Sequence, residues 1–195
     1  MSDGPQGTYR AKTAAEITEL VALSDDAKSL LEPGATPRQF IDRLMEKALW
    51  IDAVKFMAFA LPKREAIWWG LVCARQAYES QPPPEPAAKA LEAADTWLLA
   101  PNDDNRRAAM AAAEVAGFGT PAGSAALAAF FSGGSLGPAN VPAVPPPETL
   151  TPQAVAGAVM LSAVLEKPEL APKKHERFVT QGFDVAAGKS RWGGH

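Results

Sequence analysis

Ser135 stands in a segment whose spacing matches a catalytic motif. Residues 133–137 read G-G-S-L-G and fit the pattern Gly-x-Ser-x-Gly, in which the serine Oγ acts as a nucleophile. Chain order would also allow an acid at Glu148 or Glu166 and a base at His175. That chemistry requires a strained turn from a strand into a helix, whereas the residues before Ser135 have a helical pattern. We therefore expect a glycine-rich helix end here. A serine hydrolase-like enzyme using Ser135 and His175 is kept as the alternative.

Other segments that could bind a ligand fail on spacing or on their surroundings. Residues 182–190 resemble a phosphate-binding loop, but five residues separate the two glycines where that loop has four. His175 lies in a run of charged residues without a cysteine or an acidic cluster, which argues against metal binding. Cys73, the single cysteine, lies in an apolar helical run and is expected to be a small buried residue. The sequence predicts no metal, no cofactor and a protein that is not an enzyme.

Helix start signals recur along the chain and indicate the fold class. Threonine followed by proline, at Thr36, Thr120 and Thr151, is typical of a helix N-terminus. The chain has 39 alanines and 17 leucines against 11 valines and 4 isoleucines, which favours helices over strands. These features predict an all-α fold, an irregular bundle of seven or eight helices with a Gly/Pro-rich loop. A domain division follows from the same pattern: a helical extension over 1–35, a helical domain over 36–188 and a flexible tail over 189–195.

A helix that starts at Pro62 is predicted to lie at the centre of the core. Its apolar residues cover more than half of its circumference. We predict that Trp68, Leu71 and Val72 are buried. The adjacent Trp68 and Trp69 are interpreted as packing residues, one facing inward and one lining a neighbouring element.

Residues 108–164 are almost free of charge. They include only two charged side chains, Glu114 and Glu148. Such a segment can form the buried half of the core, or it can leave an apolar surface for a partner protein. Two adjacent phenylalanines, a glycine turn and a proline-rich stretch lie within it, and proline cannot donate a backbone hydrogen bond. These features predict a protein-binding surface made of Phe130, Phe131, Leu136 and Val141.

Charge and hydropathy argue against two classes of partner. The net charge is −3 and the sequence pI is about 5.5, so nucleic acid is not expected to bind. Glycine and proline interrupt the longest uncharged stretch, and the apolar run over 153–165 is too short to span a bilayer, so no membrane insertion is expected. The N-terminus lacks the pattern of a signal peptide and the chain cannot form an intramolecular disulfide, which predicts a cytoplasmic protein.

Arg106 and Arg107 follow Asp103 and Asp104 at helical spacing, which predicts local ion pairs.

Several blocks of the sequence resemble, in matching order, a bacterial all-helical family of unknown function. L-P-K-R-E-A-I-W-W over 61–69 is similar to the L-P-x-R-E-A-x-W-W block of that family. F-F-S-G-G-S-L over 130–136 and G-F-D-V-A-A-G over 182–188 resemble its central and C-terminal blocks. The resemblance covers about 36–192. It implies an accessory or adaptor role, because members tend to be encoded beside type VI secretion components. It thus implies a protein partner, a component of that system, and it transfers no catalytic residue.

Overall fold

The described part of the chain folds into ten α-helices, eight of them with ten or more residues. The computed structural model describes residues 7–138 and 140–193. In chain order the helices are α1 (Ala14–Thr18), α2 (Asp25–Ser29), α3 (Pro37–Glu46), α4 (Trp50–Ala60), α5 (Lys63–Gln76), α6 (Glu85–Leu99), α7 (Asp103–Ala116), α8 (Pro121–Phe130), α9 (Leu150–Val164) and α10 (Ala171–Ala186). No strand occurs in the described residues. The predicted all-α fold is confirmed and the helix number is close to the seven or eight predicted; α1 and α2, which have only five residues each, lie within 1–35.

Side-chain caps start three of the longer helices, two of them at the predicted threonine-proline signals. The backbone N–H of Gln39 donates to Thr36 Oγ1 at 3.3 Å, and the side chain of Gln39 accepts from the backbone N–H of Thr36 at 2.9 Å. This reciprocal capping box starts α3. The side chains of Asn102 and Thr120 cap α7 and α8 in the simpler way, each accepting one backbone N–H. The third threonine-proline signal is displaced, because Thr151 lies inside the first turn of α9.

The alanine-rich helices α8 and α9 form the centre of the bundle. They pack against each other, and α5, α6 and α7 cover them. Nine of the ten residues of α8 are buried. Small side chains allow the helices to approach closely, and a Cβ built on Gly70 of α5 would lie 3.4 Å from Cγ1 of Val155 on α9. Within the uncharged segment, α8 and most of α9 are therefore core, whereas of its part of α7 only Ala109 and Ala113 are buried. Within the described ranges, no helix has both the length and the apolar character to cross a membrane.

Helix α5 presents Trp69, rather than Trp68, to the core. Trp69 is fully buried, and its Nε1–H donates to the carbonyl oxygen of Phe178 on α10 at 2.7 Å. Leu71 is buried as predicted, but the predictions for Trp68 and Val72 are wrong, since both are only partly buried. The buried side of α5 is centred near Gly70, where α9 approaches, so the stripe that contains Trp68 and Val72 lies at its edge.

The segment after α10 packs on this edge of α5. The Nε1–H of Trp68 donates to Ser190 Oγ at 3.0 Å, and the guanidinium of Arg64 lies 4.3 Å from the ring centre of Trp192. The flexible tail expected from residue 189 stays a prediction, and Ser190 and Trp192 within it contact α5. His195 lies outside the described residues.

Candidate protein-binding surface

One buried guanidinium holds the start of the Gly/Pro loop, residues 132–149 apart from Ala139, against α7. Arg106 is 3% exposed, and it donates to the carbonyl oxygen of Phe130 at 2.9 Å and to that of Ser135 at 3.1 Å. Asp103, one turn earlier on α7, accepts two hydrogen bonds from the same guanidinium at 2.6 and 2.8 Å. The predicted ion pair is present. Its second role, fixing the loop, could not be predicted from helical spacing.

The turn over Arg106 requires glycine. Gly134 has φ +68°, and a Cβ at this position would lie 2.8 Å from Cζ of Arg106. The neighbouring Arg107 donates to the carbonyl oxygen of Gly137 at 3.1 Å. Hydrogen bonds from Arg107 and Arg106 lower the pKa of Asp103. The carboxylate that orients both arginines therefore stays ionised at a lower pH than an ordinary aspartate does.

Ser135 has a structural role in this loop. Its Oγ accepts the backbone N–H of Gly137 at 3.1 Å and that of Val144 at 3.0 Å. The backbone N–H of Leu136 donates to the carbonyl oxygen of Val144 at 2.8 Å. These hydrogen bonds join the glycine turn to the proline-rich stretch that follows it.

A second set of contacts fixes the far end of the loop. Lys63, the first residue of α5, donates to Glu148 Oε1 at 2.9 Å and to the carbonyl oxygen of Ser132 at 3.3 Å. Arg10 lies 3.7 Å from the same carboxylate. The hydrogen bond from Lys63 lowers the pKa of Glu148. Both ends of the loop are thus attached to α5, while its start is also attached to α7.

Between these attachments the loop exposes apolar side chains. Leu136, Val141 and Val144 are 37, 46 and 54% exposed, and we call these three residues the apolar loop surface. Leu136 and Val141 were predicted from the sequence. Val144 was missed, although its position directly before a proline in the uncharged stretch could have indicated it. The uncharged segment therefore combines both predicted possibilities, since α8 and most of α9 are buried while the loop exposes apolar side chains.

The two phenylalanines of the predicted surface are more buried than its loop residues. Phe130 is buried, and the guanidinium of Arg106 lies 4.6 Å from its ring centre. Phe131 is partly buried and its ring centre lies 5.7 Å from that of Phe130. An exposed contact with a partner is therefore available to Leu136 and Val141 rather than to Phe130.

Ser135 and His175 lie at opposite ends of the bundle. Lys63 at the start of α5 contacts the Gly/Pro loop, whereas Gln76 at the end of α5 lines a cavity together with Arg177, two residues after His175. The 14 residues of α5 separate these ends by about 20 Å. Because a serine nucleophile must contact its base, this arrangement cannot support the hydrolase alternative.

The remaining candidate residues have structural surroundings. His175 is 4% exposed, and burial lowers its pKa. Cys73 is fully buried, as predicted, and burial raises the pKa of its thiol well above the usual range. Gly188, within the segment that resembles a phosphate-binding loop, has φ +71° and ends α10. Among the residues with described positions, no group of three potential ligands could hold a metal ion.

Comparison with known proteins places the chain in a family without assigning an activity. No curated protein matches it, and no solved structure matches it. A family of unknown function, DUF6931, matches residues 40–186, which is well over half of the chain. This agrees with the expected membership of an unknown-function family, while the secretion setting stays a prediction. The chain belongs to the DUF6931 family of unknown function.

Proposed function

We propose that this protein is a non-enzymatic accessory or adaptor protein that binds a protein partner through the apolar loop surface. One observation carries the proposal: the loop exposes apolar side chains while its backbone is fixed by Arg106, Ser135 and Lys63. Exposed apolar side chains gain free energy when a partner removes them from water. A loop that is already ordered loses less conformational entropy on binding than a mobile one.

The partner that we propose is a component of a bacterial type VI secretion system. Support for this finer statement comes from the sequence blocks over 61–69, 130–136 and 182–188, whose resemblance implies that setting. The test is removal of the gene from the native host, followed by measurement of secretion by that system. Secretion should fall in the deletion strain and return with the wild-type gene. Unchanged secretion would contradict the link to this system.

Capture of partners from the native host tests the surface itself. Leu136→Asp with Val141→Asp places two charges on the apolar loop surface and should abolish recovery of the partner identified with the wild type. A matched control is Val115→Asp with Phe118→Asp, which alters exposed apolar residues at the opposite end of α7. We expect the control to retain the partner.

The helical circular dichroism and melting temperature of both double variants should stay close to the wild type. Unfolding of the Leu136/Val141 variant would mean that these side chains contribute to the core instead. Equal partner recovery from that variant and from the wild type would place the interface elsewhere.

A further inference from the structure

We infer that residues 141–147 are a polyproline-II ligand, bound by an aromatic-lined groove on the partner protein. This inference rests on the proposed function and names the chemistry of the partner. The segment reads V-P-A-V-P-P-P and has neither helical nor strand structure. Polyproline II is an extended helix with three residues per turn and no internal hydrogen bonds, which suits such a sequence.

The sequence of the segment restricts its backbone to extended conformations. Proline fixes φ near about −65° at four of the seven positions. A residue before a proline is driven away from the α region, which restricts Val141 and Val144 as well. Ala143 alone is subject to neither restriction. The segment thus needs no partner to adopt the polyproline-II form.

A repeat within the segment matches the period of this helix. Val141-Pro142 and Val144-Pro145 are the same dipeptide, three residues apart, and all four residues are exposed. Three residues are one turn of polyproline II, so the two dipeptides follow each other along the same side. Pro146 is the buried residue of the segment, whereas Ala143, at the same position of the preceding turn, is exposed. The repeated dipeptides therefore face solvent, and Pro146 alone of the segment is buried against the protein.

The exposed repeat indicates how a partner would recognise it. Pro142 and Pro145 have the spacing Pro-x-x-Pro, which docks in grooves lined by aromatic side chains. In the described part of the chain, no group donates a hydrogen bond to the carbonyl oxygens of Pro142 or Pro145, so both can accept one from a tryptophan or tyrosine of the groove. The segment carries no charged side chain, so binding should depend little on salt.

Hydrogen bonds between the segment and the helical domain reduce the conformational entropy that the segment would lose on binding. Val144 is held through both backbone groups, its N–H by Ser135 Oγ and its carbonyl oxygen by the N–H of Leu136. Glu148, which follows the segment, is held by Lys63. A ligand segment fixed in its bound conformation loses little further entropy in the complex.

The test uses the full chain and an array of purified SH3, WW and EVH1 domains as probes of aromatic groove recognition. We expect the wild-type chain to bind at least one of these domains, at low and at high salt, and to be displaced by an oligoproline peptide. Pro142→Ala with Pro145→Ala should weaken that binding by about tenfold or more. The control, Pro82→Ala with Pro101→Ala, changes two exposed prolines in other loops and should bind as the wild type does.

Three results would overturn the inference. The first is that no domain of the array binds the wild-type chain. The second is that the Pro142/Pro145 variant and the Pro82/Pro101 control lose binding to the same extent. The third is concentration-dependent self-association that the Pro142/Pro145 variant abolishes, because the occupant would then be a second copy of this chain. If the array fails while Leu136→Asp with Val141→Asp still abolishes partner capture, the proposed function stands without this mode of recognition.

Discussion

Cζ of Arg106 would lie 2.8 Å from a Cβ built on Gly134. The guanidinium fills the space beneath the glycine turn, and from there it reaches the carbonyl oxygens of Phe130 and Ser135. A buried side chain of α7 and a turn of the Gly/Pro loop therefore depend on each other. Changes at either residue should move the loop while leaving most of the helical bundle in place.

Gly134→Ala should lower the free energy of unfolding by at least about 1–2 kcal/mol, the cost of a left-handed conformation for a residue with a Cβ. The contact with Arg106 adds to that cost. Gly133→Ala is the matched control, because a Cβ there meets no atom within 4 Å and its φ is not positive. Urea unfolding of the two variants measures the difference. Equal stability of the two would show that the turn is not constrained at Gly134.

Arg106→Ala should cost about 2–3 kcal/mol of unfolding free energy, since it removes charged donors from two carbonyl oxygens. Arg107→Ala removes one such hydrogen bond from a more exposed side chain and should cost less. Limited proteolysis gives a second measurement, in which cleavage within the Gly/Pro loop should accelerate only for the Arg106 variant. Similar cleavage rates for both variants would contradict the role of Arg106 as the loop anchor.

Trp69→Ala should destabilise the fold by about 3–5 kcal/mol, the usual range for truncation of a buried tryptophan. Trp68→Ala should cost less, because its side chain is only partly buried, at the edge of the core. Chemical denaturation followed by circular dichroism compares the two. A larger loss of unfolding free energy for Trp68→Ala than for Trp69→Ala would show that Trp68 is the core residue, as the sequence predicts.

Local signals predicted the helices, because capping is a property of neighbouring residues. Thr36 and Thr120, each followed by proline, identify helix starts that the structure confirms. The buried face of α5 could not be predicted in this way, because apolar residues cover more than half of the helix circumference. The contact of Gly70 with α9 selects Trp69 over Trp68, and that contact joins residues far apart in sequence.

The candidate surface was also predictable only in part, because contacts between residues far apart in sequence decide which of its side chains are exposed. Low charge and proline content identified the loop that exposes Leu136 and Val141. Phe130 is buried and contacts Arg106, which is 24 residues earlier in the sequence. Local spacing shows that Arg106 can pair with Asp103, but it carries no information about the carbonyl oxygens that the same guanidinium contacts.

Cys73 should not react with a maleimide while the protein is folded. Its side chain is fully buried, and burial raises the pKa of the thiol, so little thiolate forms at neutral pH. Mass spectrometry after brief labelling should detect no adduct in buffer and one adduct in denaturant. Rapid labelling of the folded protein would show that α5 opens locally near Cys73.

His175 should make stability depend on pH near neutrality. Burial lowers its pKa below the ordinary value of 6.5, and within the described residues its Nε2 has no hydrogen-bond partner. The unfolded chain therefore binds a proton at a higher pH than the folded chain. The free energy of unfolding should decrease as pH falls through 6.5, and the contribution of this group levels off below the folded pKa. Urea unfolding at several values between about pH 5 and 8 measures this dependence.

His175→Gln removes the titrating group, so this variant should lose the decrease in stability between neutral and mildly acidic pH. Its stability at neutral pH is a separate quantity, because the glutamine amide is also polar and buried. Glu176→Gln, at the exposed neighbouring position on α10, is the control and should keep the dependence of the wild type. The carboxylate of Glu148 contributes to the pH dependence of stability only at lower pH, since the hydrogen bond from Lys63 lowers its pKa from 4.5. A pH dependence that persists in the His175 variant would assign the proton uptake to another group.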